Sequence, residues 1–492
     1  MSAPEPPNRD ADPAEDTPGD VGTPRPGGDE AAEPANGHSD EVGETPYTDG
    51  LSPLGGEGDG FHTWPAEDVL AGPPPPPVEK RDRTRFTRKR DIVAALLLVA
   101  AVVAAVVVGW RTSDYRATAS TPGQALPSPP PPEFFPPSLG EAWRAQSPAT
   151  AEPVAVGPVV VTAEGSEVVG RDPLTGEQVW SYRRDLPLCV VHGVWDNAVA
   201  VYKSDGGFLP DDAPRGTGGC SEVTSLAPAD GTRYKARNWD AELGAELIDD
   251  GTYLTAAGKD LITTLRSDLV ETMEYGQVPA QVVPERQPRT GCSYDSVFMN
   301  AGRIGVVERC PDDLADRLTV YKATAKDADR PEVVFSIVLG SDSAQVVAMT
   351  DRFTAVAVPG PDRLVVYGED GAQTASVPLD LGPGGIEQTG PVADTVGATG
   401  AFYWFAGSST VALSMEDLKP MWTVRDTMGP GAVFAGRMLV PVADGLAVID
   451  QTDGSRVGTL PVDRGGYSGT VALSSIGPIV LEQRGPLLVA LR

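Results

Sequence analysis

A strand–turn–strand pattern that recurs after about residue 140 constrains the fold of this chain more than any other feature. Short apolar strands alternate there with turns rich in Gly, Asp and Pro, and no convincing amphipathic helix interrupts them. The strand groups begin, roughly 35 to 50 residues apart, near Val154, Cys189, Glu246, Cys292, Gln345, Pro391 and Gly431. Repetition with this period indicates a β-propeller, in which four-stranded blades stack around an axis.

The clearest copy of the repeat is GRDPLTGEQVW, from Gly170 to Trp180. It reads as the end of one strand, a tight turn from Asp172 to Gly176, and a second strand closed by an aromatic residue. More divergent copies end at Trp239, Tyr275, Val377, Trp422 and Val462. Because a large aromatic side chain fills the gap between neighbouring blades, we predict that role for Trp143, Trp180, Trp239 and Trp422.

The two ends of the repeat region complement each other. The last segment, GTVALSSIGPIVLEQRGPLLVALR, supplies about three strands, whereas residues 139–146 supply a single strand that holds Trp143. Together they make one blade, and pairing them closes the ring without leaving an exposed strand edge. The sequence therefore predicts an all-β, eight-bladed propeller over residues 139–492.

The motif DPLTGEQVW, at Asp172 to Trp180, resembles the repeat of pyrroloquinoline-quinone-like (PQQ-like, quinoprotein-type) eight-bladed propellers. That group includes quinoprotein alcohol dehydrogenases and BamB-type outer-membrane assembly factors, and the resemblance covers residues 139–492. The Ala/Val/Gly/Pro-rich composition and the acidic tail also resemble those of actinobacterial membrane proteins. The resemblance implies the propeller fold and one of two roles, a dehydrogenase or a scaffold.

The dehydrogenase role would imply a quinone cofactor, a calcium ion, a ring of adjacent cysteines and a catalytic Asp. No two cysteines are adjacent here, and no cofactor set maps onto this chain residue by residue. His192 is the one histidine after residue 62, and we interpret it as structural; a His-based triad or metal site is therefore not predicted. The acidic loop Pro311 to Asp316 does not have the spacing of a known calcium loop. We predict no catalytic, cofactor-binding or metal-binding residues.

Residues 92–110 form a run of 19 residues without a charge, about 28 Å long as a helix, which predicts a transmembrane span in the lipid bilayer. Residues 80–91 carry seven Lys and Arg before it, against two soon after it. Because positive flanks stay in the cytoplasm, the N-terminus is expected inside and everything after Trp110 outside the cell membrane. A cleaved signal peptide, with ATAS at Ala117 to Ser120 as its cleavage site, is the alternative; the long preceding segment favours an uncleaved signal anchor.

The segments that flank the span lack a core of their own. Residues 1–79 hold 18 Asp and Glu against two Lys and Arg and few large apolar residues, so we predict a disordered tail. Its TPGD, at Thr17 to Asp20, resembles ligands of phosphothreonine-reading forkhead-associated domains. Residues 111–138 are Pro-rich and are expected to form a semi-rigid spacer that lifts the propeller off the membrane.

All four cysteines follow the span, which suggests two disulfides in an exported domain. Three pairings are possible. In an antiparallel hairpin the start of the first strand lies beside the end of the second, which favours Cys292 with Cys310 and Cys189 with Cys220. Zinc is the alternative, but the spacing is not that of paired ligands.

The sequence leaves three hypotheses for function. An acidic chain without a basic aromatic face is not expected to bind nucleic acid. The first hypothesis is a non-enzymatic protein-binding or scaffolding propeller whose partners are envelope proteins on the propeller face. The second is a transmembrane sensor of an envelope ligand, and the third is a PQQ-type dehydrogenase or another enzyme. The sequence carries no signal for an oligomeric state.

Overall fold

The computed structural model describes residues 89–111, 113–203, 219–278, 283, 285–388, 390–398 and 400–492. The acidic tail predicted over residues 1–79 and the basic segment as far as residue 88 lie outside the described residues. Two helices come first: α1 (Lys89–Arg111) and the single turn α2 (Asp114–Ala117). No residue of α1 is buried, and within the described part of the chain it is the one helix long and apolar enough to cross a membrane.

The strands after α2 form eight antiparallel sheets, which confirms the predicted eight-bladed propeller. Blade 1 has β3 (Val154–Val156), β4 (Val159–Glu164), β5 (Glu167–Arg171) and β6 (Gln178–Arg184), with β1 (Thr118–Thr121) as a fifth strand; blade 2 has β7 (Leu188–Val194), β8 (Asn197–Tyr202), β9 (Glu222–Leu226) and β10 (Arg233–Asn238); blade 3 has β11 (Glu246–Asp249), β12 (Tyr253–Ala257), β13 (Leu261–Arg266) and β14 (Glu271–Gly276); blade 4 has β15 (Ser293–Asn300), β16 (Arg303–Arg309), β17 (Arg317–Lys322) and β18 (Val333–Val338).

The second half of the ring is built in the same way. Blade 5 has β19 (Gln345–Met349), β20 (Thr354–Val358), β21 (Arg363–Tyr367) and β22 (Gln373–Pro378); blade 6 has β23 (Thr395–Ala398), β24 (Ala401–Phe405), β25 (Ser409–Ser414) and β26 (Pro420–Arg425); blade 7 has β27 (Ala432–Phe434), β28 (Arg437–Val442), β29 (Gly445–Ile449) and β30 (Arg456–Pro461); blade 8 has β31 (Val471–Ile476), β32 (Ile479–Arg484), β33 (Leu487–Leu491) and β2 (Glu141–Gln146). Second strands such as β8 (NAVAVY) and β20 (TAVAV) are runs of Val and Ala because the neighbouring blades cover both of their faces.

Blade 8 joins the two ends of the repeat region, as the sequence predicts. β2 pairs with β33, and Trp143 lies opposite Ala490. Gly140 and Arg492 exchange two backbone hydrogen bonds of 2.8 Å at the end of this pair. The closure gives blade 8 four strands, so neither end of the repeat region leaves an incomplete blade at the junction.

Antiparallel strand order gives the ring two different faces. The turns between first and second strands and between third and fourth strands lie on one face, here called the turn face. The turns between second and third strands lie on the other, here called the loop face, together with the loops that run from blade to blade. A backbone hydrogen bond of 2.8 Å between Leu188 and Gly165 joins a blade-to-blade loop to a second–third turn, which places both on the loop face.

Three of the four predicted blade-packing tryptophans dock on a turn of the next blade. The indole Nε1 of Trp180 donates to the Pro228 carbonyl at 2.9 Å, and its ring lies where a β-carbon on Gly231 would be, at 2.5 Å. Trp143 makes the same contact with Pro173 and Gly176, and Trp422 makes it with Gln451 and Gly454. The glycine has a positive φ in each turn, so the turn needs glycine both for its backbone and for its space.

The junction between blades 2 and 3 differs from this pattern. Trp239 follows β10 and is buried in an apolar cluster that spans the two blades, but its Nε1 has no hydrogen-bond partner among the described residues. The turn it would meet carries Leu269, with a φ of 62°, instead of glycine. Lys235 bonds to the Ser267 carbonyl of that turn at 3.0 Å.

The Pro-rich segment after α2 contacts the propeller along most of its length. The sequence predicts a spacer over residues 111–138; in the structure β1 pairs with β6, and Gly123 donates to the Asp230 carbonyl. From residue 123 to 135 every third residue is partly buried and those between are exposed, the period of a polyproline II helix lying on a surface. Residues 122–139, here called the strap, therefore cross the turn face.

Candidate functional site

A channel of about 500 Å³ runs along the propeller axis and is the candidate functional site. Residues of the first strands β7, β11, β15, β23 and β31 line it, together with the loops that lead into the first strands of the blades. Because those loops run from blade to blade, the channel opens on the loop face. A cavity of this size at a propeller axis is within the range of small-ligand and peptide side-chain sites.

Blade 5 does not contribute its first strand to the channel wall. A segment of the loop between blades 5 and 6 lies in front of β19, where Val297 of β15 donates to the Pro391 carbonyl at 2.7 Å. Val297 and Val392 also form a parallel bridge, and Gln388 donates to the Asp295 carbonyl. All five residues of β19 are consequently buried, and residues 392–396 take their place in the wall.

The charged residues of the channel wall are acidic. They come from four places along the chain and are Glu152, Glu246, Asp249 and Asp394. Neither Lys nor Arg occurs among the lining residues that the structure describes. The channel therefore carries a negative field that low-dielectric walls strengthen.

His192 lies between two of these carboxylates. Its Nε2 is 2.7 Å from Asp249 Oδ2, and its Nδ1 is 3.6 Å from Glu152. Burial lowers the pKa of His192, but the hydrogen bond to Asp249 and the charges of Glu152 and Asp249 outweigh it and raise the pKa above its ordinary value. A structural role is predicted for His192 from the sequence, and in the structure its side chain joins β7 of blade 2 to β11 of blade 3.

Glu246 and Asp394 form a second acidic group in the channel. Burial and the nearby charge of Asp394 raise the pKa of Glu246 to about 7. Because two carboxylates close together disfavour a double negative charge, Glu246 is half-protonated near neutral pH. The charge of the channel consequently changes between about pH 6 and 8.

Both disulfides have the pairing that the local sequence favours, Cys189 with Cys220 and Cys292 with Cys310. Each joins segments at the loop face, and Cys189 lies in the channel wall. Glu308 lies close to the second pair. Because bonded sulfurs are not thiolates, this group of two sulfurs and a carboxylate does not hold zinc while the disulfide is intact.

The acidic loop from Pro311 to Asp316 is held by ion pairs. Asp313 pairs with Arg317 at 2.6 Å, and Asp316 pairs with Arg309 at 2.7 Å. Those carboxylates therefore fix the loop between β16 and β17.

Three of the channel carboxylates come from distant parts of the chain and are not predictable from the sequence. Glu152, Glu246 and Asp394 are each about a hundred residues or more from the next along the chain, so no local spacing connects them. Only the closure of the ring places them on one axis.

No protein-family model matches the chain, and no curated protein matches it. Solved structures that align with it include BamB from Moraxella catarrhalis, with 12% identity, a TM-score of 0.44, and coverage of 72% of this chain and 99% of that one. Sqt1 from Saccharomyces cerevisiae aligns with 9% identity and a TM-score of 0.45, and the alignment covers 75% of this chain and 99% of Sqt1. The dihydro-heme d1 dehydrogenase NirN aligns with 14% identity and a TM-score of 0.44, and the alignment covers 74% of this chain and 72% of NirN.

Proposed function

We propose that this chain is a single-pass membrane protein that displays its propeller outside the cytoplasm as a non-enzymatic protein-binding scaffold. No residue of the apolar helix α1 is buried against the rest of the chain, as a span in lipid requires. The seven Lys and Arg of residues 80–91 favour a cytoplasmic N-terminus and an uncleaved signal anchor. Two disulfides in the propeller fit an oxidising compartment.

The observation that carries the scaffold role is the difference between the two faces. The strap crosses the turn face, whereas the loop face presents long loops and the mouth of the channel. Loops on a rigid support are the usual place for recognition. Leu243 and Leu314 are large apolar side chains exposed on loop-face loops, where a protein partner would cover them.

The chemistry of the channel wall favours binding over catalysis. Asp249 lies 2.7 Å from Nε2 of His192 and Glu152 lies 3.6 Å from Nδ1, so among the described residues both ring nitrogens face carboxylates instead of a hydroxyl or thiol that the imidazole could activate. The sulfur of Cys189 is in a disulfide. A negatively charged recess instead suits a cationic side chain of a partner.

We assign the scaffold to assembly or maintenance of the cell envelope. A propeller tied to the outer side of a cell membrane is placed where envelope proteins are delivered and joined. A sensor would need its signal to reach the cytoplasmic tail, and the motif from Thr17 to Asp20 would be the element that reports it.

Site-specific photocrosslinking in intact cells tests this function. A photoreactive residue at Leu243 or Leu314, on the loop face, is expected to yield a discrete crosslinked protein. The same residue at Val457, which is exposed on the outer strand β30, serves as the matched control. Equal products from all three positions, or a redox cofactor that absorbs in the purified propeller, would contradict the scaffold role.

A further inference from the structure

The chain enters the propeller at the loop-face edge of blade 1. Ala117, the last residue of α2, accepts a hydrogen bond of 2.9 Å from the backbone of Asp185. Asp185 follows β6 and begins the loop to blade 2, which lies on the loop face. Thr118 pairs with Arg184 and Thr121 with Ser181, so β1 runs from the loop face toward the turn face.

Very little chain separates α1 from this edge. Arg111 ends α1 and Thr118 begins β1, so six residues connect them. Six residues reach at most about 20 Å when fully extended, and α2 shortens this reach because a helical residue rises only about 1.5 Å. Ser113 Oγ donates to the Trp110 carbonyl at 2.8 Å, and the Arg116 guanidinium lies 4.8 Å from the Trp110 ring centroid.

The strap fixes the other end of the connection. Gly123 is held against blade 2, and a β-carbon on Gly477 would lie 2.7 Å from Pro129, at the innermost turn of blade 8. Phe135 packs on Phe434 of blade 7, with ring centroids 6.4 Å apart. β1 and the strap together contact four blades, so β1 is fixed rigidly to the propeller. The strap contacts lie on the turn face.

From this geometry we infer that the loop face is held toward the bilayer, and that its partner is the extracytoplasmic part of another protein embedded in the same membrane. The inference rests on the proposed function, because it requires α1 to span the membrane. The loop-face edge of blade 1 is the part of the propeller tied closest to α1. A partner of the channel mouth must then fit between the ring and the lipid.

Charge distinguishes a protein partner from the lipid itself. The chain after Trp110 has 49 Asp and Glu against 30 Lys and Arg, and the channel wall is acidic. Anionic headgroups repel such a surface, because polybasic rather than acidic segments bind them. The exposed fractions of Leu243 and Leu314 are 57% and 102%, so the described residues of the loop face leave both side chains open. A membrane protein with basic extracytoplasmic loops complements both features.

Fluorophores at single introduced cysteines test the orientation, since all four native cysteines are in disulfides. The full chain is reconstituted in vesicles of phosphatidylethanolamine and phosphatidylglycerol that carry a headgroup quencher. Glu164→Cys and Leu174→Cys are a matched pair, because they lie in blade 1 on the loop face and the turn face respectively. Leu314→Cys reports the far side of the loop face.

We expect severalfold stronger quenching at Glu164→Cys and Leu314→Cys than at Leu174→Cys. Equal quenching at Glu164→Cys and Leu174→Cys, or quenching at Glu164→Cys without any at Leu314→Cys, overturns the inference, since the ring would then stand on its edge. Insertion of twelve Gly and Ser residues after Ser113 should abolish the difference. Alkaline extraction of the same vesicles separates the two proposals, because release of the chain would refute the membrane span itself.

The partner is identified in cells from the crosslinks at Leu243 and Leu314. An integral membrane protein in the product, lost when the twelve-residue linker is inserted, supports the inference. A soluble protein, or lipid adducts alone, would overturn it while leaving the scaffold or the membrane span intact.

Discussion

The indole Nε1 of Trp143 donates a hydrogen bond of 2.8 Å to the carbonyl oxygen of Pro173, in the turn between β5 and β6. This contact joins the last blade to the first one, since Trp143 lies on β2 of blade 8. The face of its ring lies on Gly176, whose φ is 74°, and a β-carbon there would be 2.6 Å from the indole Cγ. Closure of the ring therefore depends on the pairing of β2 with β33 and on this docked side chain.

Gly176→Ala should destabilise the propeller through both its backbone and its packing. A positive φ costs an L-residue about 1 kcal/mol, and the overlap with Trp143 adds about 1–3 kcal/mol. Gly165→Ala is the matched control, because Gly165 has a φ of 64° in the same blade and nothing within 4 Å of an added β-carbon. Thermal unfolding by circular dichroism should show a larger fall in Tm for Gly176→Ala. Equal falls would show that the indole contact contributes nothing to closure.

Trp180 and Trp239 should respond differently to replacement by Phe. Trp180→Phe removes the donor to the Pro228 carbonyl and leaves that acceptor without it, at a cost of about 1–3 kcal/mol. Trp239→Phe removes an Nε1 that has no partner among the described residues. The variant should therefore lose only the stability that comes from the packing of the larger indole ring. The free energy of unfolding in urea measures both variants. A larger loss for Trp239→Phe would mean that its indole has a partner after all.

The propeller was predictable because each blade repeats a local pattern. The motif DPLTGEQVW shows a turn that ends in glycine and a tryptophan four residues later. In the structure the turn glycine packs on a tryptophan of the preceding blade, as Gly176 does on Trp143 and Gly454 does on Trp422. The junction at Trp239 departs from the pattern because Leu269 replaces the glycine. The pairing of β2 with β33 was predictable because the last segment supplies only three strands of a four-stranded blade, and residues 139–146 supply the missing one.

The strap and the channel wall were not predictable in the same way. Proline repetition predicts the extended conformation of the segment from residue 122 to 139, but its docking depends on the space above Gly477 and on Phe434, which are more than 290 residues away. The loop before β23 displaces β19 from the axis through backbone hydrogen bonds to Val297, and backbone hydrogen bonds leave no mark in side-chain pattern. Long-range contacts of this kind are properties of the closed ring.

Glu246→Gln should stabilise the protein at alkaline pH. The pKa of Glu246 is raised to about 7 in the folded state, so its charge is penalised there and stability falls as the pH rises from about 4.5 through 7. Gln has the size of Glu and carries no charge. After allowance for the partial exposure of Glu246, the free energy of unfolding at pH 8.5 should rise by about 1–2 kcal/mol in the variant. At pH 4 both proteins carry a neutral side chain and should have the same Tm. Glu177→Gln, at an exposed position, is the control. A gain that is independent of pH would contradict the raised pKa.

His192→Gln should destabilise the protein in acid and have less effect in base. The folded-state pKa of His192 is raised, so the stabilisation from its charged form is fully present below the ordinary pKa of about 6.5 and is lost as the pH rises through the folded value. The charge-assisted hydrogen bond to Asp249 is worth about 1.5–3 kcal/mol, which is the loss expected at pH 5. A double-mutant cycle with Asp249→Asn isolates the pair, since Asp249 also accepts from Gly251. The coupling free energy should be largest at pH 5 and fall toward that of a neutral hydrogen bond by pH 9. Coupling that grows with pH would mean that the histidine is neutral in the folded protein and that burial, not the carboxylates, sets its pKa.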